Sequence, residues 1–271
     1  MIGIGLAVGA VIVTFLLKDV SPAILINMPS ISIVMLGTFG ATIASFGLAQ
    51  FMKLPKLLII GMKTPKSDAE ALRTQLVAFA ERARREGLLA LESDIEAVKD
   101  PFVRRGLQMV IDGLEPETVE EVLELQVEAM SRRHAHGATM LAAMAGYAPT
   151  FGILGAVMGL VAVMAHLSEP EKLGSGIQVA FIATLMAVGV ANILYMPMSV
   201  SLKAQSAAEV VGRRMAMAGI LAIQAGDNPR IVAEKLKTFI DPHAAKAPKE
   251  PAAESATPPA PTTGVPQPEA G

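Results

Sequence analysis

Residues 134–168 read HAHGATMLAAMAGYAPTFGILGAVMGLVAVMAHLS, and residues 173–202 read LGSGIQVAFIATLMAVGVANILYMPMSVSL. Neither stretch holds an Asp, Glu, Lys or Arg. An α-helix needs roughly 20 apolar residues to cross the hydrocarbon layer, so each stretch is long enough to span a membrane. Only Glu169-Pro170-Glu171-Lys172 separates them, which makes a tight turn between two antiparallel spans. Working outward, Met1 to Leu17 and Val20 to Met52 are uncharged as well. The fold expected is an all-α integral membrane protein with four transmembrane helices, at about residues 1–17, 30–50, 145–167 and 174–200. The first resembles a signal peptide in length, but no Lys or Arg precedes it and no clear small-residue cleavage site follows, so it is read as a retained span.

Composition carries the same message. The chain has 271 residues, 52% hydrophobic and only 18% charged, with a mean hydropathy of +0.48. Soluble domains carry about 25% charge. A net charge of −2 gives no basic field for nucleic acid. The absence of Cys removes disulfides, thiolate chemistry and cysteine metal sites.

Lys and Arg are retained on the cytoplasmic side of a membrane. Of 23 such residues, 21 lie in segments 51–139 and 203–271, leaving Lys18 and Lys172 in the short connections. Both termini and the large loop are therefore expected in the cytoplasm of a multi-pass protein. The domains expected are residues 1–50 (transmembrane helices 1 and 2), 51–139 (a cytoplasmic helical domain), 140–202 (transmembrane helices 3 and 4), 203–242 (cytoplasmic C-terminal helices) and 243–271, a disordered Pro/Ala-rich tail.

Within the loop, Leu72, Leu76 and Phe79, then Val103, Leu107 and Val110, then Leu123, Val127 and Met130 recur at three- and four-residue spacing, the stripe of an amphipathic helix. Ser67 to Glu70 and Thr118 to Glu121 fit the capping box of a helix start. Gly226 reads as a helix stop, and Asn228-Pro229 as an N-cap opening a short helix through Val232, Leu236 and Phe239.

A carboxylate inside the membrane is the usual carrier in a proton or sodium path, and none of the four spans has one. If the chain conducts an ion, a second chain supplies the carboxylate. The spans hold mild polar groups instead, Thr38, Thr42, Thr150, Thr184, Asn192 and Ser199 among them. Such hydroxyls more often bond to their own helix than line a path. Gly155 and Gly159, and the row Ala183, Ala187, Ala191, stand four apart, which permits close helix packing within one subunit or between copies. Pro149 and Pro197 each remove a backbone hydrogen bond, as a static kink or as a hinge. The two prolines are expected at comparable depth. His134 and His136 point to nearly opposite sides of a helix and cannot chelate one metal from a single face. No nucleophile with its base, no phosphate loop and no metal or cofactor cluster is discernible, so enzymatic chemistry is unsupported.

These residues together resemble the MotA/PomA family, the A subunit of the flagellar motor stator. The resemblance rests on the four-span layout and on Ala148-Pro149-Thr150-Phe151-Gly152-Ile153-Leu154-Gly155-Ala156-Val157-Met158-Gly159-Leu160. It rests further on Arg84 to Glu92, Asn192 to Pro197 and Ile223 to Pro229, and covers about residues 1–241. It implies a ring of five subunits around two copies of a single-span, peptidoglycan-binding, MotB-like partner whose aspartate carries the ion, in the bacterial inner membrane. By resemblance, Arg84 and Glu92 match the charges that contact the rotor protein FliG, and Pro149 and Pro197 match the prolines that couple conformation to ion flow. Sodium-driven members carry threonine at two pathway positions. Here Thr184 fits one and Ala156 occupies the other, so the resemblance implies protons as the transported ion. Many relatives have an acidic residue three before the first proline, where Gly146 stands here. The alternatives are a TolQ/ExbB-like energy transducer, which has three spans, and a self-contained transporter, for which paired broken helices are not visible.

Overall fold

The computed structural model describes residues 2–18, 21–63 and 69–240, and every regular element among them is helical. Helix α1 covers Ile2–Leu17. Helix α2, Met28–Phe46, starts at Asn27, whose Oδ1 accepts from the Ser30 amide at 3.1 Å and the Ser30 hydroxyl at 2.9 Å. It stops at Gly47, not at residue 50 as expected, because the chain turns there with φ +78°, a conformation that costs glycine nothing. Two short helices follow, α3 (Leu48–Phe51) and α4 (Leu54–Met62). Next come α5 (Ala69–Glu86), closed by Gly87 at φ +86°, then α6 (Glu92–Ile95) and α7 (Pro101–Ile111).

Helix α8 is the longest element, 50 residues from Pro116 to Ala165. At 1.5 Å per residue it is about 75 Å long, more than twice the hydrocarbon thickness. It begins three residues after Gly113 and opens on Glu115-Pro116, so the capping box expected at Thr118 does not mark its start. Proline at the first helical position, with φ already fixed, fills that role. The box at Ser67 lies partly outside the described residues, as does the tail from residue 241. Helix α9 (Pro170–Gly189) runs antiparallel to α8, passes through one wide π-helical turn at Val190–Tyr195, and continues as α10 (Met196–Gln224). Gly226 at φ +71° ends α10: its amide bonds to Ile223 O, and the Asp227 amide to Ala222 O. Asn228 Oδ1 then caps α11 (Pro229–Ile240) through the Arg230 amide at 3.0 Å.

The core falls into regions of different character. The charged end is a conventional helical core, in which the expected stripes meet: Leu76, Val103, Leu107, Leu123, Val127, Val232 and Leu236 are buried together. A middle core joins Leu54, Met140, Leu141, Met144, Tyr195 and Met198. At the uncharged end the buried core shrinks to Val34, Ala183 and Ala187 with Ile33 against them. Outside it, Ile153, Val157, Met164 and Phe181 stand exposed, a surface too apolar to face water. Three helical stretches are long and apolar enough to cross a membrane, Met28–Phe46, Pro116–Ala165 and Pro170–Gln224, and Gly5–Leu17 is a shorter apolar one. The third and fourth expected spans thus share uninterrupted helices with the charged domain, so the boundaries at 139/140 and 202/203 are changes of chemistry along continuous rods.

Candidate functional site

The seam between α8 and α9 is built from small residues. A Cβ on Gly152 would lie 2.5 Å from Ala187 Cβ, one on Gly155 2.7 Å from Ala183 Cβ, and one on Gly159 2.7 Å from Gly176 O and 2.8 Å from Ala180 N. The two backbones therefore touch along three turns, and these small residues serve packing within the chain. Helix α2 closes the same seam: the Phe151 ring lies on Gly37, and Ile33 on Gly155. Gly5 and Gly9 of α1 meet nothing within 4 Å.

This register sets Ala156 and Thr184 at neighbouring levels of the seam. The Thr184 hydroxyl donates toward Ala180 O at 3.2 Å, with Gly152 O of the facing helix at 3.5 Å. Its oxygen lone pairs stay available, whereas Ala156 offers no polar atom. Thr42 bonds to Thr38 O, Thr150 to Tyr147 O and Asn192 to Val188 O, each on its own helix, as membrane hydroxyls and amides tend to do. Ser199 instead crosses to α8, donating to Ala138 O at 2.7 Å in a buried position.

The prolines do not lie at one depth. Pairing of Gly152 with Ala187, and of Ser199 with Ala138, puts Pro149 opposite the π-helical turn and Pro197 about two helical turns further toward the charged end. Pro149 sits inside α8, which passes through it. Pro197 follows the wide turn directly. An α-helix would clash the proline ring with the carbonyl four residues back, and the extra residue in the turn, with the Met196 amide reaching Ala191 O, relieves that conflict. Pro197, Asn192 and Ser201 line a cleft of about 390 Å³ between the π-helical turn, α4 and α1.

At the far end, Arg84 and Glu92 are exposed on α5 and at the start of α6, and neither forms an ion pair among the described residues. Arg82 locks that corner instead. Its Nη1 lies 2.6 Å from both carboxylate oxygens of Asp94, and its Nε 3.2 Å from Glu86 Oε2. The hydrogen bonds to Asp94, then Glu86, raise the Arg82 pKa, so the guanidinium stays charged. Its neighbours Arg84 and Arg85 remain turned outward with Glu92.

Sequence reasoning missed a second charged chain. Arg213 of α10 places Nη1 2.6 Å from both oxygens of Asp100 at the start of α7, and its guanidinium carbon lies 5.2 Å from the Phe102 ring centre. Glu209 Oε1 is 3.5 Å from Arg213 Nη2, Glu209 Oε2 is 3.7 Å from His134 Nδ1 of α8, and the Ser206 hydroxyl is 3.4 Å from the same ring nitrogen. These side chains join three helices where charge first appears below the uncharged rods. Only the local signal Asp100-Pro101, an N-cap before proline, was readable; the partner lies 113 residues away.

The sequence and the fold recur in known proteins. Residues 94–215 match the model of the MotA/TolQ/ExbB proton channel family. Motility protein A of Bacillus subtilis is 38% identical over 241 residues, 89% of each chain. Motility protein A of Borreliella burgdorferi is 34% identical over 242 residues, covering 89% of this chain and 93% of its own. The fold superposes on the flagellar MotAB stator complex from Bacillus subtilis with a TM-score of 0.82 at 38% identity, covering 88% of this chain and 94% of that one. Continuous likeness at this level across apolar and charged parts alike leaves one conclusion: the chain belongs to the MotA/TolQ/ExbB proton channel family, on the side of its MotA members.

Proposed function

We propose that the chain is the ion-channel, torque-generating subunit of a flagellar stator. The observation that carries this reading is the pair of continuous rods, α8 and α9–α10. Each runs from a carboxylate-free apolar half into a charged domain bearing outward Arg84, Arg85 and Glu92. A displacement at the uncharged end reaches the charged end through unbroken helical backbone.

In this reading α1, α2 and the uncharged halves of α8 and α9–α10 are four membrane spans, with the charged helices and both termini in the cytoplasm. A MotB-like single-span partner supplies the missing aspartate, and several copies of the chain, five by family resemblance, surround it. Thr184 without a second hydroxyl at Ala156 favours protons over sodium. Pro149 and the wide turn before Pro197 are the compliant points at which ion movement bends the rods, and Arg84 and Glu92 engage FliG on the rotor. A TolQ/ExbB-like role is less well supported, because that branch has three spans and the outward charges have no counterpart task there.

Deleting the gene is expected to leave assembled flagella that do not turn; normal swimming, with no second stator set in the genome, overturns the proposal. Swimming speed measured against external sodium and against a protonophore tests the ion. A speed that tracks sodium refutes the reading of Ala156.

A further inference from the structure

Helices α3 and α4 answer to no role in the stator reading. Gly47 breaks α2 and turns the chain, and residues 47–63 then carry Lys53, Lys56 and Lys63 with no Asp or Glu. The next acidic residue is Asp68. Lys53 touches only the neutral amide of Gln50, at 3.1 Å, and none of the three lysines has an acidic partner among the described residues.

The depth of α4 is fixed by what it packs on. A Cβ on Gly61 would lie 3.1 Å from Met198 Sδ, and one on Gly137 2.8 Å from Leu57 Cδ2. Ser201 donates to Gly61 O at 2.7 Å, and Gln205 to Ile60 O and Lys63 O at 3.1 and 3.0 Å, satisfying carbonyls at the end of α4. Gly137 is one turn from Arg133, the last charge on α8 before its long uncharged run. Lys203 of α10, the first charge after Lys172, lies between Ser201 and Gln205. Helix α4 therefore sits where charge begins on both rods.

Its inner face is Leu54 and Gly61, both buried. On the outer side, helical spacing sets Pro55, Ile59 and Met62 along one edge and Lys56 with Lys63 along the adjoining one. Ile59 is 57% exposed and Met52, ahead of it, 70%. An apolar edge beside an uncompensated basic edge, at the level where an apolar helix has just ended, is the pattern of a helix lying in a membrane interface.

We propose that α3 and α4 bind anionic phospholipid headgroups of the cytoplasmic leaflet through Lys53, Lys56 and Lys63, with Met52 and Ile59 seated among the acyl chains. The proposal rests on the stator reading for which leaflet that is. Charge complementarity selects lipid over a second copy of the chain. The surface it meets must be negative, and among the described residues the exposed carboxylates belong to the charged domain or to the opposite end, at Glu169 and Glu171. Bound there, the lipid pins α4 against Met198 and Ser201, next to Pro197.

The test purifies the full chain, co-expressed with its partner, from vesicles of phosphatidylcholine with one-fifth phosphatidylglycerol, and measures the ratio of the two lipids retained per complex. The wild type is expected to enrich phosphatidylglycerol. Lys53→Gln, Lys56→Gln and Lys63→Gln are each expected to lose about fivefold of the preference, and Lys235→Gln, already paired to Asp227, none. An unchanged ratio in the triple variant overturns the proposal. So does a triple variant that alters the number of copies per complex, which assigns the face to a neighbouring subunit. Because the chain has no Cys, Lys56→Cys labelled by an impermeant maleimide reads the leaflet separately. Labelling from the outer side refutes the orientation in the stator reading. Labelling from the inner side with no lipid preference refutes only the lipid site.

Discussion

Arg213 holds both carboxylate oxygens of Asp100 at 2.6 Å, tying the start of α7 to a rod that begins at the other end of the molecule. Asp100 has a second duty: its Oδ1 accepts from the Phe102 amide at 2.9 Å and caps α7. Asp100→Asn keeps an oxygen for the cap but loses the ion pair, while Asp100→Ala loses both. The half-exposed pair is worth about 1 kcal/mol and the cap about another 1 kcal/mol. Thermal unfolding of the purified complex is expected to rank wild type above Asn above Ala. Torque is expected to fall already in the Asn variant, because the charged domain is then less firmly fixed to α10. Equal stability of all three, or full torque in Asp100→Ala, contradicts this assignment.

Gly159 packs on backbone. A Cβ there meets Gly176 O and Ala180 N at under 3 Å, atoms that cannot rotate away, so Gly159→Ala must push α8 from α9. Overpacking of this kind costs about 1–3 kcal/mol. Membrane levels of the variant should drop, whereas Gly146→Ala, with nothing within 4 Å, should match or exceed the wild type. Immunoblots of membrane fractions decide between them.

Pro197 and the π-helical turn before it form one device. Pro197→Ala returns an amide donor and removes the ring clash, so the wide turn is free to tighten to an α-helix. The variant is expected to reach wild-type levels, or slightly above, yet fail to support rotation. Motility assayed beside protein level reads this, and a motile Pro197→Ala strain removes the turn from the mechanism.

Arg84 and Glu92 are exposed and unpaired among the described residues, so reversing either charge should leave folding untouched. Arg84→Glu and Glu92→Lys are each expected to lower torque in tethered-cell rotation, more steeply at low salt, where exposed charges are least screened. Reversing Arg82 should behave differently. It breaks the bidentate pair with Asp94, so it loosens α6 and lowers stability as well. Wild-type torque in both single reversals refutes the rotor-facing role.

Long uncharged runs revealed the membrane helices, since charge is expelled from hydrocarbon wherever it lies in the fold. The stripes through Leu76, Leu107, Leu123 and Leu236 revealed the charged domain's core for a similarly local reason: a helix repeats every 3.6 residues, so its buried face is written in the chain. The capping box at Thr118 misled because proline at the first helical position satisfies the same requirement and left no mark that outweighed it. Sequence distance from a span's end sets the two prolines level, because it ignores how far one helix slides along another.

By itself, the sequence determined the helical class, the apolar halves and the lack of an Asp or Glu within them, and hence that an ion path here would need a carboxylate from a second chain, all consequences of local composition and periodicity. Only the tertiary structure decided that the small residues serve a seam within the chain, that Pro197 stands below a π-helical turn, and that Asp100, Arg213, Glu209 and His134 form one chain. Those depend on register between elements up to 113 residues apart, which side-chain volume and backbone approach fix and no local pattern encodes.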